Sequence, residues 1–569
     1  MKEQLVKIIE DAVKKLENSY FSTFDKLDYN VTVEKPRDSK HGDYATNIAL
    51  ILAAKIKKNP LEIGEQICNA IDSSIIENKY VARPGFINFS VSLKYLQENL
   101  KVIHEQKEKY GTCNIGKGEK VHIDFVSANP TGPLHIGHGR WAALGDSLAR
   151  ILTTAGYEIY KEFYVNDIGN QIVNLGNSLK VRYIEVLIEK GKEQACLFPT
   201  NKNLFDAFKN DGKNGVTSFY HGIYLKDLAQ QLYEMEGENF LDKDGKDFAH
   251  FAMERILKEQ KDLLDNLRVY FDNWFKESDL HLSGKVDATI EYLKNNDKTI
   301  FKDNALWLKG SEKVKDNVLI KSDGTTTYFA SDVSYHKNKY DRGFERLIDI
   351  WGADHHGHVQ RMKTAAGYLG KNPDSLEVII GQLVTIYLNK EVVKMSKRTG
   401  EMITLKEVVD EVGVDALRYL MLMKSPDNTI DFDMDIAKEQ SKDNPVFYVQ
   451  YAHARISSIL RMAESKLNLI PGNARLELLT QQEERQLMFR LADYKNETKT
   501  AALERAPHRL TFYASALATE FHQFYTNCRV LNPENLELTE ARLNLAYATK
   551  IVLRNLLEDL LGVTAPTSM

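Results

Sequence analysis

A strand, a loop, a helix and a second strand follow one another directly between residues 121 and 165, and this order constrains the fold more than any other feature. Residues 121–126 alternate apolar and polar side chains, which predicts a short strand. A helical pattern runs over residues 137–156 and ends at a glycine, and residues 158–165 read as the next strand. Two strands joined through a helix predict a parallel βαβ unit, with ligands bound at the carboxyl ends of the strands.

The segments on either side of this unit predict two further domains. Residues 1–110 read as a small α+β unit, in which an amphipathic helix runs from Tyr44 to about Ile56. Residues 111–443 contain the parallel-sheet domain, and residues from about 170 to 290 read as a helical insertion into it. Residues 444–569 read as an all-helical bundle. The predicted fold class is therefore multidomain α/β, with a Rossmann-type parallel-sheet domain, a helical insertion, a small N-terminal α+β domain and a C-terminal all-α bundle.

Composition excludes several classes of protein. The 569 residues carry 75 Lys and Arg against 80 Asp and Glu, a net charge of −5, so the chain is not polybasic, although a local patch can still bind a polyanion. The four cysteines form no CxxC pair, which argues against a disulfide scaffold and a structural zinc site and fits a reducing compartment. No apolar run reaches the roughly 18 residues of a membrane span. We therefore expect a soluble, cytoplasmic protein.

The loop before the predicted helix contains His135-Ile136-Gly137-His138. A helix N-terminus favours phosphate through its unpaired N–H groups and its dipole, and two imidazoles could donate hydrogen bonds to the same anion. The alternative is that the histidines are ordinary turn residues or metal ligands, and the tetrapeptide alone does not decide between these interpretations.

A second motif, Lys394-Met395-Ser396-Lys397, lies far downstream after two predicted short strands. Thr404 and Glu407 then form a capping box that predicts the start of a helix. Three cations within five residues could close over a triphosphate, but a charge run is more often a solvated loop. Taken alone, this motif favours the solvated loop.

Together, the two motifs resemble the HIGH and KMSK signatures of class I aminoacyl-tRNA synthetases. The resemblance implies that an amino-acid carboxylate attacks the α-phosphate of ATP, and that the acyl group then passes to the 2′-hydroxyl of the terminal adenosine of a tRNA. It implies Mg²⁺ on the ATP phosphates and no structural metal. The implied catalytic residues are His135, His138, Lys394 and Lys397, and the implied ATP-binding residues are His135, Gly137, His138, Met395 and Ser396.

Longer blocks of sequence resemble the arginyl-tRNA synthetase family, and the resemblance covers essentially the whole chain. Two residues depart from the expected pattern: Arg398 stands where many class I enzymes have serine, and Arg83 stands where a small residue is expected. The blocks are residues 42–47, 127–132, 220–225, 271–274, 323–332, 351–358 and 444–455.

The chemistry of a guanidinium group agrees with this resemblance, because a planar fork of donors prefers bidentate carboxylates. Asp124 lies at the carboxyl end of the first predicted strand, and Asp332 follows another candidate strand. Both could instead be ordinary surface carboxylates at strand ends, and the Asp354-His355-His356 cluster could be a metal site or simple loop polarity. By resemblance, the arginine-binding residues are Asp124, Ser127, Asn129, Tyr328, Asp332 and His355.

The helical tail and the N-terminal domain are the expected tRNA-binding regions. Aromatic and cationic side chains can stack on unpaired bases and contact phosphate, although helical spacing places some of these aromatics in the bundle core. The resemblance also implies that tRNA binds before arginine is activated. The implied tRNA-binding residues are Tyr44, Asn47, Tyr448, Tyr451 and Arg455.

The expected partners are tRNA(Arg), L-arginine and ATP, with no membrane, and we expect a monomer. Three alternatives remain open: another class I synthetase, for lysine or cysteine; a nucleotidylyltransferase, which shares the HxGH loop; and a non-catalytic RNA-binding paralogue. The paired aspartates, the helical tail and the presence of all four signature histidines and lysines respectively count against them.

Overall fold

The structure, a computed structural model, describes residues 1–17, 28–36, 38–192, 199–211, 218–311, 314–393 and 403–569. Its architecture is multidomain α/β, as predicted. A small α+β domain, a parallel-sheet domain with inserted helices and a helical domain follow one another along the chain.

The N-terminal domain contains a three-stranded antiparallel sheet of order β1-β3-β2, on which α2 and α3 pack, while α1 packs on α3. One prediction was wrong here, because the segment expected to be helical from Tyr44 begins as strand β1. The side chains of Tyr44 and Thr46 are buried, and Tyr44 pairs with Phe89, so burial against the sheet decides the conformation. The elements are α1 (Lys2–Glu17), β1 (Tyr44–Thr46), α2 (Ile48–Ile56), α3 (Pro60–Ala70), β2 (Ile76–Ala82), β3 (Phe86–Val91) and α4 (Leu93–Gln106).

The central sheet of the second domain is five-stranded and wholly parallel, with the order β11-β10-β4-β5-β6. Its first unit is the predicted βαβ unit, and the second strand has the predicted bounds. The strands and the helices between them are β4 (Lys120–Asp124), α5 (Ile136–Thr154), β5 (Glu158–Val165), β6 (Asn273–Lys276), α10 (Glu277–Leu282), α11 (Lys285–Asn295), α12 (Tyr328–Asp341), β10 (Arg346–Gly352), α13 (Val359–Tyr368) and β11 (Leu376–Gly381).

The inserted helices between β5 and β6 have a hydrophobic core of their own. The structure differs from expectation in that β6, the edge strand of the central sheet, lies within the range expected to be purely helical. Its residues pair with β5 in register, an interaction that local sequence does not reveal. The inserted helices are α6 (Asn170–Glu189), α7 (Pro199–Lys209), α8 (Tyr224–Glu236) and α9 (Gly245–Asn266).

Two small sheets complete this domain. An antiparallel sheet precedes α12, and a second sheet, of order β13-β12-β14, lies on both sides of the second motif in sequence. The elements are β7 (Thr299–Lys302), β8 (Ala305–Leu308), β9 (Asn317–Ile320), β12 (Val384–Leu388), β13 (Glu391–Val392), α14 (Leu405–Val412), α15 (Val414–Leu422), β14 (Ile430–Asp433) and α16 (Met434–Lys438).

The C-terminal domain is helical, as predicted. Pro445 occupies the first turn of its first helix, and Gly562, with a φ of 65°, ends its last turn. Across the described ranges, no helix is long and apolar enough to span a bilayer. The helices are α17 (Pro445–Leu467), α18 (Gln482–Leu503), α19 (His508–Asn527), α20 (Leu536–Arg554) and a π-helical turn (Asn555–Leu561).

A buried ionic cluster joins the second and third domains. Asp146 of α5 is completely buried, and the guanidinium of Arg418 lies 2.7 Å from its carboxylate. Arg418 also donates to the backbone oxygen of Leu561 at 3.0 Å, and Arg268 donates to that of Gly562 at 2.5 Å. Burial alone would raise the pKa of Asp146, but Arg418 and the neighbouring cations hold it below its ordinary value. The interior of the second domain is thus completed by the end of the helical domain.

Candidate active site

The carboxyl ends of the parallel strands form one edge of the second domain. From β4 the chain proceeds to β5 and β6 on one side and later to β10 and β11 on the other, so the topological switch point lies between β4 and β10. Ligands of open α/β sheets bind in the crevice at such a point. Asp124 is the last residue of β4 and pairs in register with Asp349 of β10.

The His-x-Gly-His turn lies at the N-terminus of α5, where His135 is the N-cap residue. The Nδ1 atom of His135 accepts a hydrogen bond from the Gly137 amide at 3.1 Å, and the Nδ1 atom of His138 accepts one from the His135 amide at 3.1 Å. The ring centroids are 3.7 Å apart. Because Nδ1 accepts in both rings, a neutral ring carries its proton at Nε2 and is a donor there. The turn therefore supplies two imidazole donors beside the positive end of a helix.

The chain that follows the second motif returns to this turn. Thr404 forms an isolated antiparallel bridge with His135, and the Leu405 amide donates to the Leu134 carbonyl at 2.8 Å. Thr404 caps α14 and forms the predicted capping box with Glu407. Thr404, which follows the second motif in sequence, therefore lies beside the first motif. Lys394, Met395, Ser396, Lys397 and Arg398 lie outside the described residues.

Four carboxylates interact electrostatically at this edge of the sheet, because Asp124, Asp332 and Glu277 raise the pKa of Tyr164, and Asp167 and Asp332 raise that of Glu277. Asp124 ends β4, Asp167 comes shortly after β5, Glu277 directly follows β6, and Asp332 lies in α12. A site that collects carboxylates from three adjacent strands and a helix is suited to a cationic ligand.

Glu277 is the most deeply buried member of this group, with 3% of its surface exposed against 7% for Asp124. Burial raises the pKa of its carboxyl group and Asp332 raises it further, while the nearby hydroxyl groups of Ser331 and Tyr164 partly offset both effects. Within the part of the chain that the structure describes, its ion-pair contact is with His281, at 3.9 Å. Glu277 is thus a desolvated carboxylate without a closely paired Lys or Arg in the described structure.

Asp124, by contrast, has protein partners on both carboxylate oxygens. The Ser127 hydroxyl donates to Oδ1 at 2.5 Å, and the ammonium of Lys339 donates to Oδ2 at 2.9 Å. Lys339 is completely buried, so its charge is directed at the protein interior and not at solvent. This arrangement makes Asp124 a poor partner for a second cation.

The loop between β4 and the histidines is fixed by the inserted helices. The exposed side chain of Asn129 donates to Gln171 at 2.8 Å. The buried amide of Gln260 donates to the Gly132 carbonyl at 2.9 Å, and the hydroxyl of Tyr224 donates to another carbonyl of the same loop at 2.5 Å. Three inserted helices therefore contact the loop that leads to the histidines.

Helix α12 supplies two predicted arginine-binding residues. Asp332 was expected to follow a strand, which was wrong, because Thr327 caps α12 and Asp332 lies within its first turns. Tyr328 is 56% exposed at the start of the helix, and His358 lies 3.0 Å from the Asp332 carboxylate. His355 is exposed and lies beside this group. Among the described residues, no group of three or more His, Cys, Asp or Glu side chains has the arrangement of a metal site.

The helical domain contains an aromatic cavity of about 280 Å³. The ring of Tyr448 lies 4.9 Å from that of His522, and the guanidinium of Arg455 lies 4.6 Å above the ring of Tyr451. His453, which shares the same stretch of sequence, is buried against the backbone oxygen of Pro566 instead. The cavity is lined by Lys442, Phe447, Tyr448, Tyr451, Arg455 and His522.

The two predicted tRNA-binding residues of the N-terminal domain differ in environment. Tyr44 is 1% exposed, and its hydroxyl donates to Asp493 of the helical domain at 3.1 Å, so it lies in an interdomain contact and is inaccessible to RNA in this arrangement. Asn47 is half-buried, and its side chain accepts a hydrogen bond from Thr32 at 3.3 Å.

A parallel sheet with this switch point, a His-x-Gly-His turn at its first crossover and a Lys-Met-Ser-Lys motif in the sequence shortly before Thr404 together define a class I aminoacyl-tRNA synthetase. The family model described as "tRNA synthetases class I (R), catalytic domain" matches residues 99–441. The model described as "Arginyl tRNA synthetase N terminal domain" matches residues 3–91, and "DALR anticodon binding domain" matches residues 449–569. The chain belongs to the arginyl-tRNA synthetase family.

Known proteins resemble the chain over nearly its full length. An arginine–tRNA ligase from Ruminiclostridium cellulolyticum is 44% identical over 551 residues, covering 95% of this chain and 94% of that protein. An arginine–tRNA ligase from Moorella thermoacetica is 43% identical over 578 residues, covering 100% and 99%. The solved structure of Thermus thermophilus arginyl-tRNA synthetase, 22% identical and covering 100% of both chains, matches the fold with a TM-score of 0.74. The sequence-based prediction of an arginine–tRNA ligase is confirmed, and class I synthetases use ATP, typically with Mg²⁺.

Glu277 is the residue of this site that sequence reasoning missed. It lies three residues after the family-like block Phe271-Asp272-Asn273-Trp274. The signal that could have identified it is the acidic residue at the end of a short strand, but that strand lies within a stretch that reads as helical.

Proposed function

We propose that this chain activates L-arginine with ATP at the edge of the parallel sheet and then transfers the arginyl group to the 2′-hydroxyl of the terminal adenosine of tRNA(Arg). In the first step a carboxylate oxygen of arginine attacks the α-phosphorus of ATP and pyrophosphate leaves. In the second step the 2′-hydroxyl attacks the carbonyl carbon and AMP leaves. The observation that supports this proposal is the pairing of Thr404 with His135. Thr404 follows the second motif closely in sequence and lies beside the histidine turn.

We propose that ATP binds at the N-terminus of α5. His135 and His138 each donate from Nε2 to phosphate oxygens, and the helix dipole adds to the attraction. Gly137 leaves room for the ring of His135, because a Cβ atom at this position would lie 3.0 Å from Cε1 and would displace the ring slightly. Met395 and Ser396 are proposed to contact the nucleotide from the second motif.

Lys394 and Lys397 are proposed to stabilise the phosphates as pyrophosphate leaves. The proposal is supported by the position of Thr404, which follows this motif by seven residues in sequence and pairs with His135. Little covalent work is required of the protein in phosphoryl-type transfer, so positioned positive charge supplies most of the catalysis.

Mg²⁺ fits this site as a partner of the nucleotide. Mg²⁺ keeps several waters and is commonly bound through substrate phosphates with few protein ligands. The donor set beside the phosphates consists of imidazole N–H groups and backbone amides, which bind oxyanions and leave the metal to the phosphate oxygens. When bound, the ion neutralises phosphate charge.

The guanidinium group of arginine is proposed to lie between Glu277 and Asp332. Glu277 is buried with no Lys or Arg against it among the described residues, Asp332 is half-exposed, and the two carboxylates are near enough for Asp332 to raise the pKa of Glu277. Tyr328 is proposed to cover the side chain. A lysine substrate, with its compact ammonium, would leave one carboxylate incompletely paired, which is costly in a buried site.

The polar ends of arginine are proposed to lie nearer the histidines. Asn129, exposed in the loop fixed by the inserted helices, is placed to bind the α-amino or carboxylate group, and His355 is proposed to contact the amino acid or ATP. Ser127 and Asp124 are proposed to determine the shape of this loop, because their side chains are hydrogen-bonded to each other.

The aromatic cavity of the helical domain is proposed to bind the anticodon. Tyr448 and Tyr451 offer half-exposed rings on which bases can stack, and Arg455 adds a cation. In the N-terminal domain we propose Asn47, but not the buried Tyr44, as a contact for the tRNA elbow.

The test of this function is arginine-dependent exchange of labelled pyrophosphate into ATP by the full-length protein, with and without tRNA(Arg). We expect exchange with arginine, not with lysine or cysteine, and we expect it to require tRNA. Exchange driven by another amino acid would identify another synthetase, and no exchange with any amino acid would favour an RNA-binding paralogue. Nucleotide transfer that needs no amino acid would favour a nucleotidylyltransferase. Sedimentation of the same sample tests the proposed monomer.

A further inference from the structure

The backbone is strained immediately after β4, at the entrance to the proposed arginine site. Val126 and Ser127 have φ values of 68° and 38°, and the Ser127 amide donates to the Phe125 carbonyl at 3.0 Å. This is a three-residue γ-turn in its rare, strained form, with a β-branched residue at its centre. Such a conformation persists only where neighbouring groups over-determine it, and it is concentrated at functional sites.

Two contacts fix the Ser127 side chain in this turn. Its hydroxyl donates to Asp124 at 2.5 Å and accepts a hydrogen bond from the Tyr164 amide at 3.0 Å. The other oxygen of Asp124 accepts from the ammonium of Lys339 at 2.9 Å. The turn is therefore tied, through one carboxylate, to a buried cation.

Lys339 lies directly beneath the switch point of the sheet. It lies 3.0 Å from Asp349, which is the register partner of Asp124 on β10, so one ammonium separates two buried carboxylates on adjacent strands. Burial would lower the pKa of Lys339, but the two carboxylates raise it above its ordinary value, so the group remains charged. His336 contacts the remaining oxygen of Asp349 at 2.7 Å. Lys339 belongs to α12, the helix that also carries Asp332, so it joins both walls of the proposed site.

We propose that Lys339 is a positioning residue for arginine activation, which acts through Asp124 and Ser127 on the strained turn that aims Asn129 and the histidine loop. Asp124 then serves as an internal link and does not pair with the guanidinium. This inference rests on the proposed function. Kinetics distinguish this positioning role from direct binding of the substrate by Asp124. Misplacing the loop lowers kcat, whereas losing a partner of the guanidinium group raises the KM for arginine.

The experiment compares Lys339→Met and Lys339→Arg with a control on the same helix, Lys337→Met, in tRNA-dependent pyrophosphate exchange. Lys337 makes an exposed i,i+4 ion pair with Asp341, and its loss should have no kinetic effect. We expect Lys339→Met to lower kcat about 100-fold with the KM for arginine within about threefold, since misplacement by about 1 Å can cost that much. Lys339→Arg should have a kcat at least tenfold higher than that of Lys339→Met, because arginine restores a charged donor. The preference for arginine over lysine should be unchanged in every variant.

Ser127→Ala keeps the test decisive if Lys339→Met fails to fold, because it leaves every charge in place. We expect this variant to melt near the wild-type temperature and to lower kcat as Lys339→Met does. A folded Lys339→Met with wild-type kcat would overturn the proposal, as would a Ser127→Ala variant in which only the KM for arginine rises. An inactive wild-type protein would instead refute the proposed function, so the two failures are distinguishable.

Discussion

Replacing Glu277 by glutamine should weaken arginine binding strongly while leaving the shape of the site intact. Glu277 is 3% exposed, so its charge faces arginine with little screening. Truncating one partner of a buried, hydrogen-bonded charge pair costs about 2–5 kcal/mol, which corresponds to about 30- to 4,000-fold in binding. Because Asp332 remains as a second carboxylate and glutamine keeps the hydrogen-bonding shape, we expect the lower end, a rise of about 30- to 100-fold in the KM for arginine. Discrimination against lysine should fall in parallel, with kcat little changed.

The pH dependence of the KM gives a second readout of the same residue. Burial, with Asp332 and Asp167, raises the pKa of Glu277 in the free enzyme, and His281 and Tyr164 are the other titratable groups that face it. Arginine is expected to bind the ionised carboxylate, so the KM should fall as pH rises through that pKa, and the fall should be absent in Glu277→Gln.

A raised folded-state pKa also means that the folded state binds more protons than the unfolded state above the unfolded pKa. The stability contributed by Glu277 is therefore present at low pH and lost as pH rises through its folded pKa, and Glu277→Gln should melt higher than wild type at neutral pH without arginine.

Steady-state pyrophosphate exchange over a range of arginine and lysine concentrations measures these effects. Asp279→Asn is the matched control, since it removes an exposed carboxylate from the same short helix and should leave the KM unchanged. A Glu277→Gln variant with the wild-type KM and selectivity would refute the assignment of the pocket.

Three further predictions follow from other parts of the molecule. Lys394→Ala and Lys397→Ala should each lower kcat for arginine activation about 10²–10³-fold with nearly unchanged arginine binding, and wild-type turnover in either variant would contradict their role. Arg418→Met should destabilise the protein by about 3–5 kcal/mol, because Asp146 would keep its buried charge without its closest buried partner; calorimetry that shows an unchanged melting temperature would exclude this. Tyr448→Ala should weaken tRNA binding by about 1–3 kcal/mol if a base stacks on that ring, as measured by fluorescence titration, and unaltered affinity would remove Tyr448 from the anticodon site.

Features determined by local sequence were predictable. The histidine turn, the strand after Gly156 and the capping box of Thr404 and Glu407 all lie where the local pattern indicates. Each of these features is formed by residues only a few positions apart, so a short stretch of sequence contains all the residues that determine it.

Features that depend on distant partners were not predictable. Asp332 follows a run of threonines that reads as a strand, but the Thr327 cap starts a helix there. Glu277 takes its place from the pairing of β6 with β5, which no local pattern reveals. Asp124 has a buried partner 215 residues away, and Tyr44 has one 449 residues away, and no local pattern reveals either contact.

The contacts of Arg268 and Arg418 with the backbone of residues 561 and 562 have a consequence for the order of synthesis. A ribosome that has finished the catalytic domain has not yet made the carbonyl groups that two of its guanidinium groups bind. Until the last helix emerges, these cations must remain hydrated or find temporary partners, and the segment around Asp146 cannot close. Arg418 is completely buried in the finished protein, so this closure is a late event. The interior of the nascent catalytic domain around Asp146 therefore stays incomplete until the helical domain has docked, and shortening the chain at residue 443 would leave a defect within the catalytic domain itself.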